Sequence, residues 1–292
     1  MTELVATVLS LGFAAQVLRI AVPYALAAMG GAITERSGVI DLALEAKLLF
    51  GAFTAAAVGH ATGSAVLGIA GGVAAGMIVA AIQVGCALGL GADQVIVGIA
   101  LNGVALGGTR FLLQLLFGEG ANSPPCPAYG GAVLTNPIVW IAAVATAALP
   151  YAVRRTRWGV RLRAAGDRPD ALVAVGVSPV RARLAAALVG GALAGAGGAQ
   201  LSLAVGGFTA DMSSGRGYIA LAMVILSGWR PAWAVVACLV VALAEALGIA
   251  FQVSGVPIAH ELVALLPYVA TLAVLVIAGG NRRSPPRSLG QI

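Results

Sequence analysis

Apolar segments long enough to cross a membrane follow one another almost end to end along this chain. That succession constrains its fold more than any motif it contains. A helix covers the hydrocarbon core of a bilayer with about 20 apolar residues. Such stretches run over 12–33, 39–60, 64–90, 94–117, 136–153, 184–205, 209–228, 232–253 and 260–279. Lys and Arg number 17 and Asp and Glu 11, so 28 of 292 residues are charged. A soluble domain carries about 25% charged residues, far more than this. The composition therefore excludes a soluble globular enzyme, a disordered tail and a nucleic-acid binder. The chain reads as all-α, a polytopic integral membrane helix bundle of about nine spans, within a range of eight to ten. Arg19 and Pro23 interrupt the first stretch. The seventh is short, begins in glycine-rich sequence, and reads as a broken or half helix.

Arginine sets the orientation. Residues 154–183 hold eight arginines against Asp167 and Asp170, and the tail adds Arg282, Arg283 and Arg287. By the positive-inside rule, both segments are cytoplasmic. The net charge of +6 thus speaks to membrane orientation rather than to phosphate binding. An even number of spans separates the two segments, so the assignments agree. Counting back places 118–135 outside, Glu35–Gly38 inside and the N-terminus outside. Residues 1–10 lack a basic n-region, which argues against a cleaved signal peptide. Arg19 and Arg216 fall near outer span ends, where a long side chain snorkels at little cost.

Small residues recur at i+4 in two ladders: Gly68, Gly72, Gly76, Ala80 and Ala187, Gly191, Gly195, Ala199. Each makes a smooth helix stripe on which another helix packs closely. They predict a tight bundle.

The chemistry the chain lacks is also informative. Lys47 is the sole lysine, and no P-loop pattern surrounds it. His60 and His260 have no second metal ligand at a useful spacing, and Cys86, Cys126 and Cys238 form neither a disulfide framework nor a CxxC pair. No nucleophile elbow is present, and Ser213-Ser214-Gly215 reads as a turn. The chain is expected not to be an enzyme and to hold no metal or cofactor of its own.

Three segments stand out. In the first, Glu35 to Lys47, Asp41 and Glu45 lie at i and i+4 on one helix face. Carboxylates at that depth usually face a bundle interior or a water-filled cavity; the bland reading is an interfacial turn. Lys47 pairs with an acid or snorkels. The second, Gly206 to Met223, is either an external loop or an unwound stretch lining a path, tolerated only where it faces protein or water. Gly38-Val-Ile-Asp-Leu-Ala echoes Gly217-Tyr-Ile-Ala-Leu-Ala in four of six positions and in opposite orientation, which makes an inverted repeat a candidate architecture. In the third, Asp167 is expected to cap a two-turn helix with Pro169 in its first turn and Gly176 at its stop. Two turns do not hold alone in water, so headgroups or a partner must support them. Asn102 is a lone mid-span amide that needs a partner, either another helix or a substrate.

Together these segments resemble the permease subunits of bacterial ABC importers, in the branch of ribose-type and nucleoside-type inner-membrane translocators. Glu35-Arg-Ser-Gly-Val-Ile-Asp-Leu-Ala-Leu-Glu45 is similar to that branch's block near the second span and points toward its nucleoside-type members. Leu162-Arg-Ala-Ala-Gly-Asp-Arg-Pro169 through Val177 resembles its ATPase-coupling loop, and Phe208 through Pro231 its second-half block. Asp41 stands where the family usually has Asn, and Ala46-Lys47 where it has Gly-Met.

The resemblance implies one transmembrane permease domain over 1–292, with a cytoplasmic coupling loop at 154–183 and a cytoplasmic tail at 280–292. It implies a path for a nucleoside or simple sugar lined by Asp41, Glu45, Asn102 and Phe208. ATPase coupling falls to Arg163, Gly166, Asp167, Pro169, Ala174 and Gly176. The implied partners are ABC ATPase subunits that bind the ATP, a second permease subunit (the same chain or another), an extracytoplasmic substrate-binding lipoprotein and membrane lipid, with no nucleic acid. The location is the bacterial inner membrane. The competing reading is a secondary carrier with Asp41 and Glu45 as an ion relay; an intramembrane hydrolase lacks any nucleophile–base pair.

Overall fold

The computed structural model describes residues 10–129, 135–253, 265, 269, 271–273, 276 and 284–291. Helix α1 spans Leu11–Arg36, with the Ser10 hydroxyl accepting from the Phe13 amide at 3.1 Å. It continues through Arg19 and Pro23 without interruption. Helix α2 is Leu44–Thr62, and α3 is Ala65–Val84, prolonged by a π-turn over Gly85–Gly89. Helix α4 is Gln94–Phe117, capped by the Asp93 carboxylate, and α5 is Pro137–Arg155, capped by Asn136. Two short helices follow, α6 at Arg157–Asp167 and α7 at Pro169–Ala174. Helix α8 is Pro179–Val205, α9 is Arg216–Leu226 and α10 is Pro231–Val253.

Among the described residues, six helices are long and apolar enough to cross a membrane. The described residues thus hold fewer spanning helices than the nine expected for the whole chain. The stretch at 39–60 becomes α2, which begins only at Leu44, after the turn at Gly38 (φ +100°); its 19 residues match α5 in length, but Glu45, Lys47 and His60 make it too polar to count among the six. The stretch at 209–228 becomes α9, whose 11 residues rise about 16 Å, half a bilayer. The stretch at 260–279 lies almost wholly outside the described residues.

The two glycine ladders pack on each other. Helices α3 and α8 run antiparallel in the most extensive helix contact of the bundle. A methyl on Gly72 would lie 2.8 Å from the Gly51 carbonyl and 3.0 Å from Ala199 Cβ; one on Gly191 would lie 2.7 Å from Ala80 Cβ. Helix α2 seats into the same seam, where a methyl on Gly51 would stand 2.6 Å from the Gly195 carbonyl. Lipid-like surroundings offer no hydrophobic drive between helices, so close backbone approach has to supply the attraction. Around that seam, Leu26, Met29, Leu44, Leu48 and Leu203 are fully buried. Helices α4 and α5 turn Ile96, Phe111, Leu115, Trp140 and Val144 outward, as a bilayer solvent permits.

The bundle has two polar ends. One collects the end of α1, α6, α7, the start of α8 and the 284–291 tail. There the Ser288 amide donates to the Gly166 carbonyl at 2.8 Å, and the Gly290 amide to the Gly38 carbonyl at 3.1 Å. This is the arginine-rich face. The opposite face carries the 118–129 loop paired to 206–211: the Ser123 amide reaches the Phe208 carbonyl at 2.8 Å, and the Ala210 amide the Ala121 carbonyl at 2.7 Å.

The arginine-rich loop differs from expectation. Its first half is helical, as α6, and Asp167 is the last residue of that helix rather than the cap of the next. Arg168 occupies the cap position of α7, without a side-chain cap bond. Once α6 extends to Asp167, its side chain no longer leads a helix. Pro169 does open α7, and Gly176 closes it at φ +74°, with the Val177 amide on the Leu172 carbonyl at 2.9 Å.

Candidate functional site

Chain breaks from the two faces converge inside the bundle. The first is 37–43, between α1 and α2; the second is 206–215, between α8 and α9. Irregular backbone away from water must find partners within the protein, and it does so here. The Ile40 amide donates to Gln94 Oε1 at 2.7 Å, and the Ile40 carbonyl accepts from Gln83 Nε2 at 2.9 Å. Asn102 Nδ2 donates to the Leu42 carbonyl at 2.9 Å while its Oδ1 accepts from the Ala46 amide at 3.0 Å. The Asp41 amide donates to Glu35 Oε1 at 3.3 Å, and Glu35 Oε2 accepts from the Trp229 indole at 2.6 Å.

Glu45 joins the two breaks. Its Oε1 accepts from the Ser213 hydroxyl at 2.6 Å and the Gly215 amide at 2.9 Å, and its Oε2 from the Gly217 amide at 2.7 Å. Gly215 is the N-cap of α9 and has no side chain to cap it. A carboxylate from α2 therefore caps α9, where the helix dipole favours a negative charge. The approach is close enough that a methyl on Gly217 would lie 2.7 Å from Glu45 Oε2 and 2.5 Å from its Cα. Asn102 adds a third bond, from Nδ2 to the Tyr218 hydroxyl at 3.1 Å.

Beside this joint lies a fully buried ion pair, Lys47 Nζ to Asp41 Oδ1 at 2.5 Å. Asp41 Oδ2 is buried and has no hydrogen-bond partner among the described residues. A second charged group, nearer the far end of the break, involves Arg216. It does not snorkel: it pairs with Glu245 Oε1 at 2.6 Å, and the Tyr24 hydroxyl donates to Glu245 Oε2 at 2.9 Å.

Of the path residues expected from sequence, Asp41, Glu45 and Asn102 fall in one cluster. Phe208 stands apart. Its ring meets Phe53 edge-on at 5.5 Å, and its amide donates to the Ser123 hydroxyl at 2.8 Å. Phe53 is eight residues beyond Glu45 on α2, about 12 Å along the helix. The echo of 38–43 in 217–222 does not place like on like, since the first copy is mostly the non-helical break and the second is the start of α9.

The coupling residues also divide. Gly166 is buried against the end of α1, where an added methyl would strike the Arg36 carbonyl, and its own carbonyl accepts from both the amide and the hydroxyl of Ser288. Arg163 faces inward and lines a cavity with Arg36, Arg154 and Arg230. Asp167 lies on the rim of a second cavity of about 390 Å³ with Arg36, Trp229 and Arg287. On α7 only Leu172 is buried; Val173 is 63% exposed, Val175 is 71% exposed, and Ala174 and Gly176 are exposed.

Sequence reasoning missed Arg183. It counted as one positive charge among eight, yet it is buried and donates to the Ser37 carbonyl at 3.3 Å, the Ala165 carbonyl at 3.3 Å and the Ser288 hydroxyl at 3.5 Å. It thereby ties α8, α6, the first break and the tail together. Gln83 was also missed, although the criterion that singles out Asn102, a lone amide within an apolar span, applies to it equally.

The family described as branched-chain amino acid transport system / permease component matches residues 13–275. The chain is 29% identical to the guanosine ABC transporter permease protein NupQ of Bacillus subtilis (strain 168) over 292 residues, 91% of each chain. It is 29% identical over 295 residues to the nucleoside ABC transporter permease protein NupC of Lactococcus lactis subsp. cremoris (strain MG1363), covering 93% of each. It is 30% identical over 286 residues to the putative glucose ABC transporter permease protein TsgC13 of Haloferax volcanii, covering 87% of each. No solved structure matches the chain.

Proposed function

The chain belongs to the family described as branched-chain amino acid transport system / permease component, a multi-pass membrane family, and from that membership we propose that it forms the translocation path of an ABC importer for a nucleoside or simple sugar. Separate ATPase subunits bind and hydrolyse the ATP, and this chain, a single permease domain over 1–292, holds no cofactor. A second permease subunit, identical or different, completes the path in the bacterial inner membrane, and an extracytoplasmic lipoprotein delivers substrate. The nucleoside and sugar permeases to which the chain is similar support the substrate class.

One observation carries the mechanism: Glu45 caps α9 across the meeting point of the two breaks. Substrate passes along Asp41, Glu45, Asn102 and Phe208, and the bare Oδ2 of Asp41 offers an acceptor to a sugar hydroxyl. The arginine-rich face is cytoplasmic, and Val173 and Ala174 of α7, with Val175 just after it, dock on the ATPase. Closure of the ATPase presses α6 and α7. Gly166 transmits the displacement to the end of α1, and the Arg183–Ser288 contacts carry it to the first break. That movement shifts α2 against α9 and opens the path. The carrier alternative needs acids free to exchange a cation. Asp41 is held by Lys47, and Glu45 by three donors, which supports the ATP-driven reading.

The experiment is uptake of radiolabelled nucleosides and sugars by the chain co-reconstituted with its ATPase, second permease and lipoprotein. ATP-dependent uptake is expected to be lost in Ala174→Asp, together with ATPase co-purification, while membrane insertion stays normal. Uptake that survives without ATPase and collapses with the ion gradient would establish the carrier instead.

A further inference from the structure

Four arginines from four separate elements converge on one small cavity at the arginine-rich face. Arg36 ends α1, Arg154 lies in the last turn of α5, Arg163 lies on α6, and Arg230 sits in the turn before α10. They line a space of about 130 Å³ whose other walls are Pro150, Val153, Pro231 and Ala232. Among its described lining residues there is no carboxylate; Asp167 acts on Arg36 from the neighbouring cavity. The described ion pairs are Lys47–Asp41, Arg110–Asp211 and Arg216–Glu245, so none of the four arginines belongs to one. Their described hydrogen bonds to neutral groups are few: Arg36 donates to the Trp229 carbonyl at 3.1 Å, and Arg163 to the Gly159 carbonyl at 3.4 Å.

Arginines at helix C-termini, such as Arg36 and Arg154, are favourable in their own right through the helix dipole. That does not account for Arg163 and Arg230, which bring two more positive charges to the same space. Like charges gathered in a partly buried site repel unless an anion sits between them. The guanidinium fork matches the oxygens of a phosphate in bidentate geometry. The amino end of α10 opens onto the same space, since Pro231 both lines it and begins that helix, and a helix amino end favours an anion. At about 30 Å³ per water in the liquid, the cavity holds roughly four waters, or one phosphate group. The prolines, Val153 and Ala232 give it an apolar wall.

We propose that Arg36, Arg154, Arg163 and Arg230 form a phosphate-binding site, filled by the headgroup phosphate of an anionic lipid or by a free phosphate compound. Its occupant contacts Arg36, whose neighbour Glu35 and bonded partner Trp229 hold the first break in place. Occupancy therefore bears directly on the segment that carries Asp41.

The test uses the purified full-length chain in detergent with two probes. Native mass spectrometry measures retention of phosphatidylglycerol against phosphatidylcholine, and thermal shift measures binding of inorganic phosphate and pyrophosphate. Arg154→Gln/Arg230→Gln is compared with Arg155→Gln/Arg157→Gln, which removes equal charge from exposed arginines of the same face that do not line the cavity. Loss of charge-assisted bonds should weaken binding about tenfold or more in the first variant and leave the second like wild type. Phosphatidylglycerol lost selectively identifies a lipid headgroup as the source; phosphate or pyrophosphate lost selectively identifies a soluble one. Equal losses in both variants, or none in either, would overturn the site. So would unchanged binding of both probes with lost ATPase co-purification, since the cluster would then serve acidic side chains of the ATPase. If the glutamine variant does not fold, Arg154→Lys/Arg230→Lys decides. It keeps the charge but loses the forks, and binding equal to wild type would count against the site.

Discussion

Replacing Glu45 isolates the contact that joins the two breaks. In Glu45→Ala, the Gly215 and Gly217 amides and the Ser213 hydroxyl lose their acceptor. The hydroxyl can rotate toward another group, but the two amides open a helix that has no cap of its own. At about 1–3 kcal/mol for each buried donor left unpaired, those amides alone cost about 2–6 kcal/mol. Glu45→Gln is milder and more telling. Its single carbonyl oxygen can keep Ser213 and Gly215, while its NH2 faces the Gly217 amide, donor against donor. One charge-assisted bond and the charge–dipole attraction go, about 2–4 kcal/mol together. The assay is hydrogen–deuterium exchange over 213–220 alongside thermal unfolding. Since about 1.4 kcal/mol is tenfold, the glutamine variant should raise the opening equilibrium of the first turn of α9 about thirtyfold or more. Exchange in α5, which packs on neither α2 nor α9 to any extent, should barely change. If both variants kept wild-type protection over 213–220 and wild-type melting, capping by Glu45 would not be what holds α9 in place.

Three further outcomes follow from the same geometry. Lys47→Met leaves Asp41 buried without its partner and should destabilise by about 3–5 kcal/mol, whereas Asp41→Asn/Lys47→Met should recover most of that loss; a double-mutant cycle by thermal unfolding measures the coupling, and equal melting of the single and double variants would contradict it. Gly76→Val drives a side chain into the Gly191 backbone and should abolish folded protein in membranes, while Gly103→Val, with nothing within 4 Å of an added Cβ, should express normally; comparable monodisperse yields would refute seam packing. Gly166→Val should push α6 off the end of α1 and uncouple ATP hydrolysis from uptake, with the ATPase still co-purifying; normal ATP hydrolysed per substrate transported would show that this contact does not transmit motion.

The extent of the bundle was legible because apolar length is a local property. Each of the six long apolar helices occupies a stretch that hydropathy marks, and the glycine ladders announced the α3–α8 seam, since small residues at i+4 define a helix face whatever the partner. The start at Pro169 and the stop at Gly176 were legible from residue type, since proline suits a first helical turn and glycine takes the positive φ of a stop. Hydropathy could not show where a span ceases to be helical. It ran through the non-helical 39–43 and 209–215 because Val39, Ile40 and Leu42 are apolar in either conformation, and it hid the boundary between α6 and α7 that moved Asp167 from cap to helix end. The partners of the polar groups were equally out of reach. Glu45 and Gly217 are 172 residues apart, as are charges and amides throughout the cluster, and nothing local to Glu45 names the helix it caps. The sequence by itself determined a tight, glycine-seamed membrane bundle with one arginine-rich end. Only the tertiary structure decided that its acids serve as a cap and an ion pair where two breaks meet, because desolvated charge must be satisfied by whatever the fold brings beside it.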